Sequence, residues 1–534
     1  MNHQIFKQTL ARAGNFQQHL NLKDVARNVS TDFENKFQYK SSNHQNLSNR
    51  KSSFVNRKYY LPLRRIYRMI ICLIILLLVF APIDEASAHQ RARYNVVIDT
   101  DCGMDDFRVL TYFMASRDFN IDAVQSVGAV LDAETSSQCL ASLLGELHHE
   151  GILLGKGLNA KNFKKNCSPA VDFWKNRTDF AIKSRADAVY TAIANSRKPV
   201  IYVAMGPLTN LADLVAKHPE LASKISYVLW PSSTKDGQPC GYNYQMDKSA
   251  YEKVLASGLK LKVLDAGRVF YPDDFLSLLP KINTPYAQTF AKYYQGQTFT
   301  SVRFYDDLLP FYILYPELFS ETASQNISVL TPRPDSYFDV IATRVLNSTE
   351  TEKGVIITEM PRNNSLLSAD VAPIAEQIIQ KYGYTEYKLV LLTSEMHSHL
   401  GIYSIIGAKM GLRILEYLHV GLDEVTIVSN AGSEPPLSCL NDGLQIGAGT
   451  TLGYGAITIS SGGEVSPSVV VNYNGRRLLF KVKDDLKREI ASDVMALVQK
   501  HGLESDVYWS EIRRLAIEKY WKEKSRFEIF EVEE

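Results

Sequence analysis

The chain has 534 residues, a length that predicts two to four domains and ample material for a core. Lys plus Arg is 59 against 58 for Asp plus Glu, a net charge of +1, so there is no field to steer nucleic acid or an anionic membrane, and no nucleic-acid partner is expected. Hydrophobic residues at 45% and charged residues at 22% exclude wholesale disorder, collagen and a polytopic membrane protein. Cys72, Cys102, Cys139, Cys167, Cys240 and Cys439 show no CxxC spacing, so neither a zinc ribbon nor a disulfide framework is readable.

Residues 1–60 are rich in Asn, Gln, Lys and Ser and are expected to form a disordered polar extension, because so few aliphatics cannot offset chain entropy. Residues 61–88 read as a signal peptide. Arg64, Arg65 and Arg68 precede the uncharged run from Met69 to Ala81, and Ala86-Ser87-Ala88 follows in cleavage-site order. The alternative is a membrane anchor through residues 69–81, but ~18 to 20 apolar residues are needed to span a bilayer. Export to the periplasm or medium is therefore expected, with only a transient membrane contact.

Beyond residue 88, apolar runs of strand length alternate with helix-period segments. The runs are Asn95 to Ile98, Val200 to Ala204, Tyr227 to Trp230, Leu261 to Leu264 and Val340 to Ala342. Such alternation predicts an α/β domain with a mostly parallel sheet and flanking helices. Helices are expected from Asp105, after Gly206-Pro207, over Ala369 to Tyr382, and over Ile405 to Leu418. A second cycle of strands and helices is expected to begin near Tyr387, in YKLVLLT, and to end in a charged helical tail. The domain boundary falls near residues 380–386, giving domains at 89–383 and 384–534.

The run VVIDTDCGMDD sets Asp99, Asp101, Asp105 and Asp106 just past a strand and at the opening of a helix. Four carboxylates in eight residues repel one another unless a cation sits among them, and a hard cation with oxygen ligands is the natural partner. Ligands of parallel α/β sheets bind beyond the carboxyl ends of the strands. The competing reading, a simple helix cap, suits one Asp better than four.

This run resembles the opening motif DxDPGxDD of the inosine-uridine preferring nucleoside hydrolases. The resemblance extends in order through VAMGPLTNLADLVAKHPELA at 203–222, YNYQMDKSAYEKVLASGLKLKVL at 242–264 and FYDDLLPFYILYPELF at 304–319. It implies an N-glycosyl hydrolase acting on a nucleoside or related glycoside. Its Ca²⁺ would be held by Asp101, Asp106, Asp306 and the main-chain carbonyl of Thr209. Asp101 would also be the catalytic base toward water held by the ion, Asp105 and Asn243 would bind ribose hydroxyls, and Asp99 would support the loop. Several positions depart from the motif. Cys102 replaces Pro, Ala129 a ribose-binding Asn, Trp230-Pro231-Ser232 a Met-Gly-Gly, Gly241 a Glu, and Tyr305 a His. The ion site looks kept while the sugar and base pockets look rebuilt. Tyr305 is then the catalytic candidate facing the leaving group, able to donate a hydrogen bond but not to act as a cationic acid. The alternative function is a non-catalytic ribosyl-ligand or metal-binding protein.

The last 150 residues resemble the FmdE-like domains of the formylmethanofuran dehydrogenase family, a smaller α+β module. HSHLG at 397–401, PPLSCLNDGLQ at 435–445 and GTTLGYGAI at 449–457 carry the likeness. It implies a metal site, and His397, His399 and Cys439 are donor types suited to Zn²⁺, with Asp442 as a further candidate. Two histidines capping the helix and a core cysteine would explain the same residues. The sequence leaves a homo-oligomer open.

Overall fold

Alternating side chains along short apolar strands build the first sheet. The computed structural model describes residues 94–164, 182–272, 274–293, 303–334, 336–347, 356–357, 359–503 and 505–534. The expectations for residues 1–60 and 61–88 lie outside them. Strand β1 (Tyr94–Thr100) leads into α1 (Met104–Ala115), β2 (Phe119–Gly128) into α2 (Ala133–Glu146), and β3 (Leu153–Asn159) precedes α3 (Ala188–Asn195). Then come β4 (Val200–Ala204), α4 (Thr209–Lys217), β5 (Ile225–Pro231), α5 (Tyr242–Met246), α6 (Lys248–Ala256) and β6 (Leu261–Leu264). Helices α7 (Pro285–Tyr293) and α8 (Leu308–Leu314), strands β7 (Phe319–Ser324) and β8 (Ile327–Pro332), and α9 (Phe338–Leu346) complete the unit. The sheet order is β3-β2-β1-β4-β5-β6-β8-β7, parallel throughout except for β7 against β8. Val96, Ile98, Ile201 and Val203 enter one core and Val97, Tyr202 and Ala204 the other, the period of two expected of strands covered on both faces.

One strand expectation is corrected here. Val340 to Ala342 belongs to α9, where Phe338, Ile341, Ala342, Val345 and Leu346 are buried while Val340 is exposed. That spacing is a helical stripe, which three residues read alone cannot distinguish from a strand.

The second core begins earlier than residue 384. Val371, Ile374, Ile378, Ile379 and Tyr382 pack with Tyr387, Ile405 and Trp521. Helix α10 (Ala375–Tyr382) follows a short 3₁₀ turn at Ala372–Ile374, so the helix expected from Ala369 is shorter. The chain then turns at Gly383, whose φ of +88° suits glycine. YKLVLLT, expected as a strand, lies in α11 (Tyr384–Met396), whose buried Tyr387 and Val390 are three residues apart. Helix α12 (Ile402–Leu418) crosses α13 (Cys439–Ala448) at close range. Added Cβ atoms at Gly411 and Gly447 would come within 2.8 Å and 2.6 Å of the facing backbone, so these glycines let the backbones meet. Strands β9 (Thr426–Ser429), β10 (Ile457–Ile459), β11 (Ser468–Tyr473), β12 (Arg476–Val482) and β13 (Phe530–Glu533) form a sheet ordered β10-β9-β11-β12-β13. Helices α14 (Asp484–His501) and α15 (Asp506–Leu515) form the charged tail. Among the described residues no helix is long and apolar enough to cross a membrane.

Polar groups join the two cores. Asp122 of β2 accepts from Tyr473 Oη at 2.6 Å and Asn474 Nδ2 at 3.1 Å, Arg413 meets Glu150 at 2.7 Å, and Lys198 meets Glu424 at 2.6 Å.

Candidate active site and cation cluster

The carboxyl end of β1 is where the acidic run leaves the sheet. Asp99, fully buried, accepts from Tyr202 Oη at 3.0 Å and Asn210 Nδ2 at 2.9 Å, while its carbonyl accepts from Met205 N at 2.7 Å. It thereby ties β1 to β4 and α4, the supporting role expected of it. Burial pushes its carboxyl up to about 7 even so.

After Asp99 the chain makes a tight turn. Thr100 Oγ1 donates to Asp106 at 2.5 Å and accepts from Cys102 N at 3.0 Å, and Gly103 N donates to Asp101 at 3.1 Å. Cys102 has φ +58°, which proline, locked near −65°, could not adopt. The Pro-to-Cys departure and this left-handed backbone belong together. The thiol is buried, donates to the Ser136 carbonyl and is pushed well above its ordinary pKa by burial and by Cys139. It is a neutral packing group. A Cβ on Gly103 would sit 2.7 Å from Asp105, 3.5 Å from Asp101 and 3.6 Å from Asp106 oxygens, so the carboxylates crowd around a residue that must lack a side chain.

Asp306 reaches the same place from the loop before α8. One oxygen each of Asp105, Asp106 and Asp306 lies within 4.8 Å of the others. Asp101 adjoins them through Asp106, with its carboxyl pushed up to about 7 by burial and by Asp105. Asp106 is driven well above the carboxylate range by burial, then by Asp101, Asp105 and Asp306. Burial, followed by Asp105 and Asp101, does the same to Asp306. Carboxylates that hold protons for want of a counter-charge, with oxygen as the sole donor type, fit a hard divalent cation. Asp105, expected at the ribose, thus also stands among the converging oxygens. Thr209 opens α4 and its hydroxyl donates to Asp247 at 2.9 Å. Asn243, at the start of α5, donates to the Met205 carbonyl at 2.7 Å, beside the turn whose Gly206 abuts Asp101.

The departures in the pocket explain one another. Trp230 is buried and donates to the Gly206 carbonyl at 2.9 Å. Gly241 N donates to Ser232 Oγ at 3.1 Å, and a Cβ at 241 would lie 2.9 Å from Ser232 Oγ and Ser233 N. No glutamate fits there without moving that segment. Tyr242, which the sequence reading passed over, is exposed, donates to the Ala129 carbonyl at 3.1 Å, and is raised by burial and then by Asp101. It therefore reaches the position whose Asn is missing. Asn210 was also missed. It bonds Asp99, the Ser126 carbonyl and Leu158 N, and its signal was its place directly after Thr209. Tyr305 is 43% exposed, with the Arg303 guanidinium 4.5 Å from its ring centroid.

In the second core His397, at the end of α11, shares a 2.6 Å hydrogen bond with Asp442, and His399 Nδ1 lies 3.2 Å from the His397 carbonyl. The two rings are 4.3 Å apart. His397 Nε2 is buried without a hydrogen-bond partner. Cys439, the first residue of α13, is half-buried, and its thiol is raised by burial and then by Asp442. Among the described residues, the only group of three or more converging His, Cys, Asp or Glu donors is Asp105, Asp106 and Asp306.

The family model described as inosine-uridine preferring nucleoside hydrolase matches residues 96–363. One described as FmdE, molybdenum formylmethanofuran dehydrogenase operon, matches residues 396–528. The non-specific ribonucleoside hydrolase RihC of Klebsiella pneumoniae subsp. pneumoniae is 24% identical over 248 residues, covering 43% of this chain and 81% of the relative. Its counterpart in Salmonella paratyphi B is 25% identical over 249 residues, with the same coverage. Among solved structures, a plant nucleoside hydrolase and a purine-preferring ribonucleoside hydrolase from Gardnerella vaginalis each align at 15% identity and a TM-score of 0.39. Each alignment covers 48% of this chain and 98% of the other.

Proposed function

Because the chain belongs to the inosine-uridine preferring nucleoside hydrolases, we propose that it is an exported, calcium-dependent hydrolase of a ribosyl N-glycosidic bond with a rebuilt base pocket. The observation that carries the calcium reading is the convergence of Asp105, Asp106 and Asp306 beside Asp101. The proposed oxygen set is Asp101, Asp106, Asp306 and the Thr209 carbonyl, with Asp105 shared between cation and sugar. A bound calcium ion supplies Lewis-acid polarisation of water and a template for sugar hydroxyls.

The chain's own groups do the rest. N-glycosidic cleavage passes through an oxocarbenium-like sugar, so charge and proton must be managed on both sides of the anomeric carbon. Asp101, with a carboxyl raised to about 7, is suited to take the proton of the attacking water near neutrality. Asp105 and Asn243 orient the ribose hydroxyls. Tyr242 and Tyr305 offer aromatic faces and hydroxyls to the leaving group. Export rests on the arginine-flanked apolar run of residues 69–81 and on Ala86 and Ala88. A zinc site in the C-terminal module rests on the His397–Asp442 pair and the buried Nε2 of His397, with His399 and Cys439 as the further donors.

The test is release of the aryl alcohol from a p-nitrophenyl riboside by the full chain. Activity should vanish with a chelator, return with calcium, and fall about 10² to 10⁴-fold in Asp101→Asn, the range for loss of a general base. Tight binding of ribosides without turnover would replace this reading with a binding protein.

A further inference from the structure

Arg108 is a charged residue on a helix that is otherwise buried from Asp106 to Ala115. Its guanidinium meets Asp307 through Nε at 2.7 Å and Nη2 at 2.8 Å, the side chains being 8% and 0% exposed. Asp307 has further partners. Tyr271 Oη donates to it at 3.0 Å and is itself 2.8 Å from Tyr112 Oη. Tyr305 N donates to its other oxygen at 3.1 Å, and Arg108 Nη2 reaches the Arg303 carbonyl at 3.4 Å.

The position of this pair in the chain is the point. Arg108 follows Asp105 and Asp106 by one turn of α1, and Asp307 follows Asp306 directly. Asp306 has to be held against three carboxylates of like sign, and Coulomb repulsion at such spacing pushes its loop away. A forked, buried, fully hydrogen-bonded ion pair resists that push in one geometry. For stability alone a buried ion pair is a poor choice, since apolar residues of similar volume often do as well or better. We propose that Arg108 and Asp307 are positioning residues that pre-assemble the cation site, locking the Asp306 loop to the helix bearing Asp105 and Asp106. The same pair fixes the backbone of Tyr305. This inference rests on the calcium reading above.

The experiment is calorimetric calcium titration of the full chain, with melting temperature measured in chelator and in calcium. Wild type should bind calcium. Arg108→Met/Asp307→Leu, which fills the site with an apolar pair, should bind it at least tenfold more weakly, the loss typical when partners that orient metal ligands are removed. Its melting temperature in chelator should stay close to wild type, with a smaller rise on adding calcium. Arg108→Lys keeps the charge without the fork and should give an intermediate affinity, which preserves the test if the double variant does not fold. A calcium affinity unchanged in Arg108→Lys and in the double variant overturns the inference and leaves the calcium reading intact. Absence of calcium binding by wild type overturns both.

Discussion

Two clusters of potential metal donors, one in each module, differ in how the fold assembles them. The carboxylates of the first module come from segments about two hundred residues apart and leave oxygens of like charge converging. The histidines of the second lie two residues apart, and His397 is answered by a carboxylate, Asp442, at 2.6 Å. The difference is electrostatic. Like charges brought together by a sheet end and a loop create a demand for a cation, while a histidine paired with an aspartate has met half of its own demand.

The largest expected effect separates the two clusters. Calcium at a hundred times its dissociation constant should stabilise the full chain by about 2.7 kcal/mol, seen as a rise in melting temperature. Asp106→Ala or Asp306→Ala should lose most of that rise. Zinc should produce a much smaller one, and His397→Ala should leave the calcium response untouched. A zinc response equal to that of calcium, abolished by His397→Ala, would erase the contrast.

That contrast was only half legible in the sequence. The acidic run, its place after β1 and the α/β alternation were readable because local carboxylate density and strand-length apolar runs are local signals. The strand at Val200–Ala204 and the helix from Met104 follow from these. The arrival of Asp306 came from the family resemblance, since nothing local to FYDDLL says where its loop lands. Arg108 could have been flagged as a charge inside the apolar stretch FRVLTYFM, but its partner is set by tertiary contact. YKLVLLT was misread because a half-buried helix and a strand share a short apolar run. Tyr242 escaped because its reach to the Ala129 carbonyl is a property of the folded pocket.

Burial acts with opposite sign on the histidines between the modules, which gives a second, smaller effect. His149 Nδ1 faces the Glu416 carbonyl at 2.6 Å and so must donate, leaving Nε2 to accept from Tyr286 Oη at 3.0 Å. The neutral ring is satisfied on both sides. Burial lowers its pKa to about 4, against the modest upward pull of Glu416 and Glu150 and with Arg413 assisting. His419, edge-on to it at 4.6 Å, is lowered further by burial and by His149. Between pH 6.5 and about 4 the unfolded chain binds protons that the folded one refuses, so stability falls as pH is lowered through that window. Asp122, raised to about 7 by burial, has the opposite slope between 3.8 and about 7, and it remains in both proteins compared. Denaturant unfolding of His149→Gln should therefore show a shallower loss on acidification, by up to about 1.4 kcal/mol per pH unit. Identical slopes in variant and wild type would show that His149 is not held neutral.

The smallest expected effect lies within the acidic pocket, at the residue where it departs from its family in leaving-group chemistry. Tyr305 stands where the resemblance places a histidine, and a phenol has no cationic form to give up a proton from. What it can do is donate one neutral hydrogen bond, worth about 1 kcal/mol net. Its backbone is fixed by Asp307, and Arg303 lies over its ring, so the side chain is oriented independently of its hydroxyl. Tyr305→Phe keeps the ring and that orientation and should reduce riboside hydrolysis less than about tenfold, far less than Asp101→Asn. A departing purine needs protonation more than a nitrophenolate does, so the aryl riboside should be the better substrate and the less sensitive to this substitution. Parallel kinetics on inosine and p-nitrophenyl riboside read both expectations at once. Efficient inosine hydrolysis that collapses in Tyr305→Phe would show that the phenol is the proton donor, and that the pocket has replaced its histidine with a working acid.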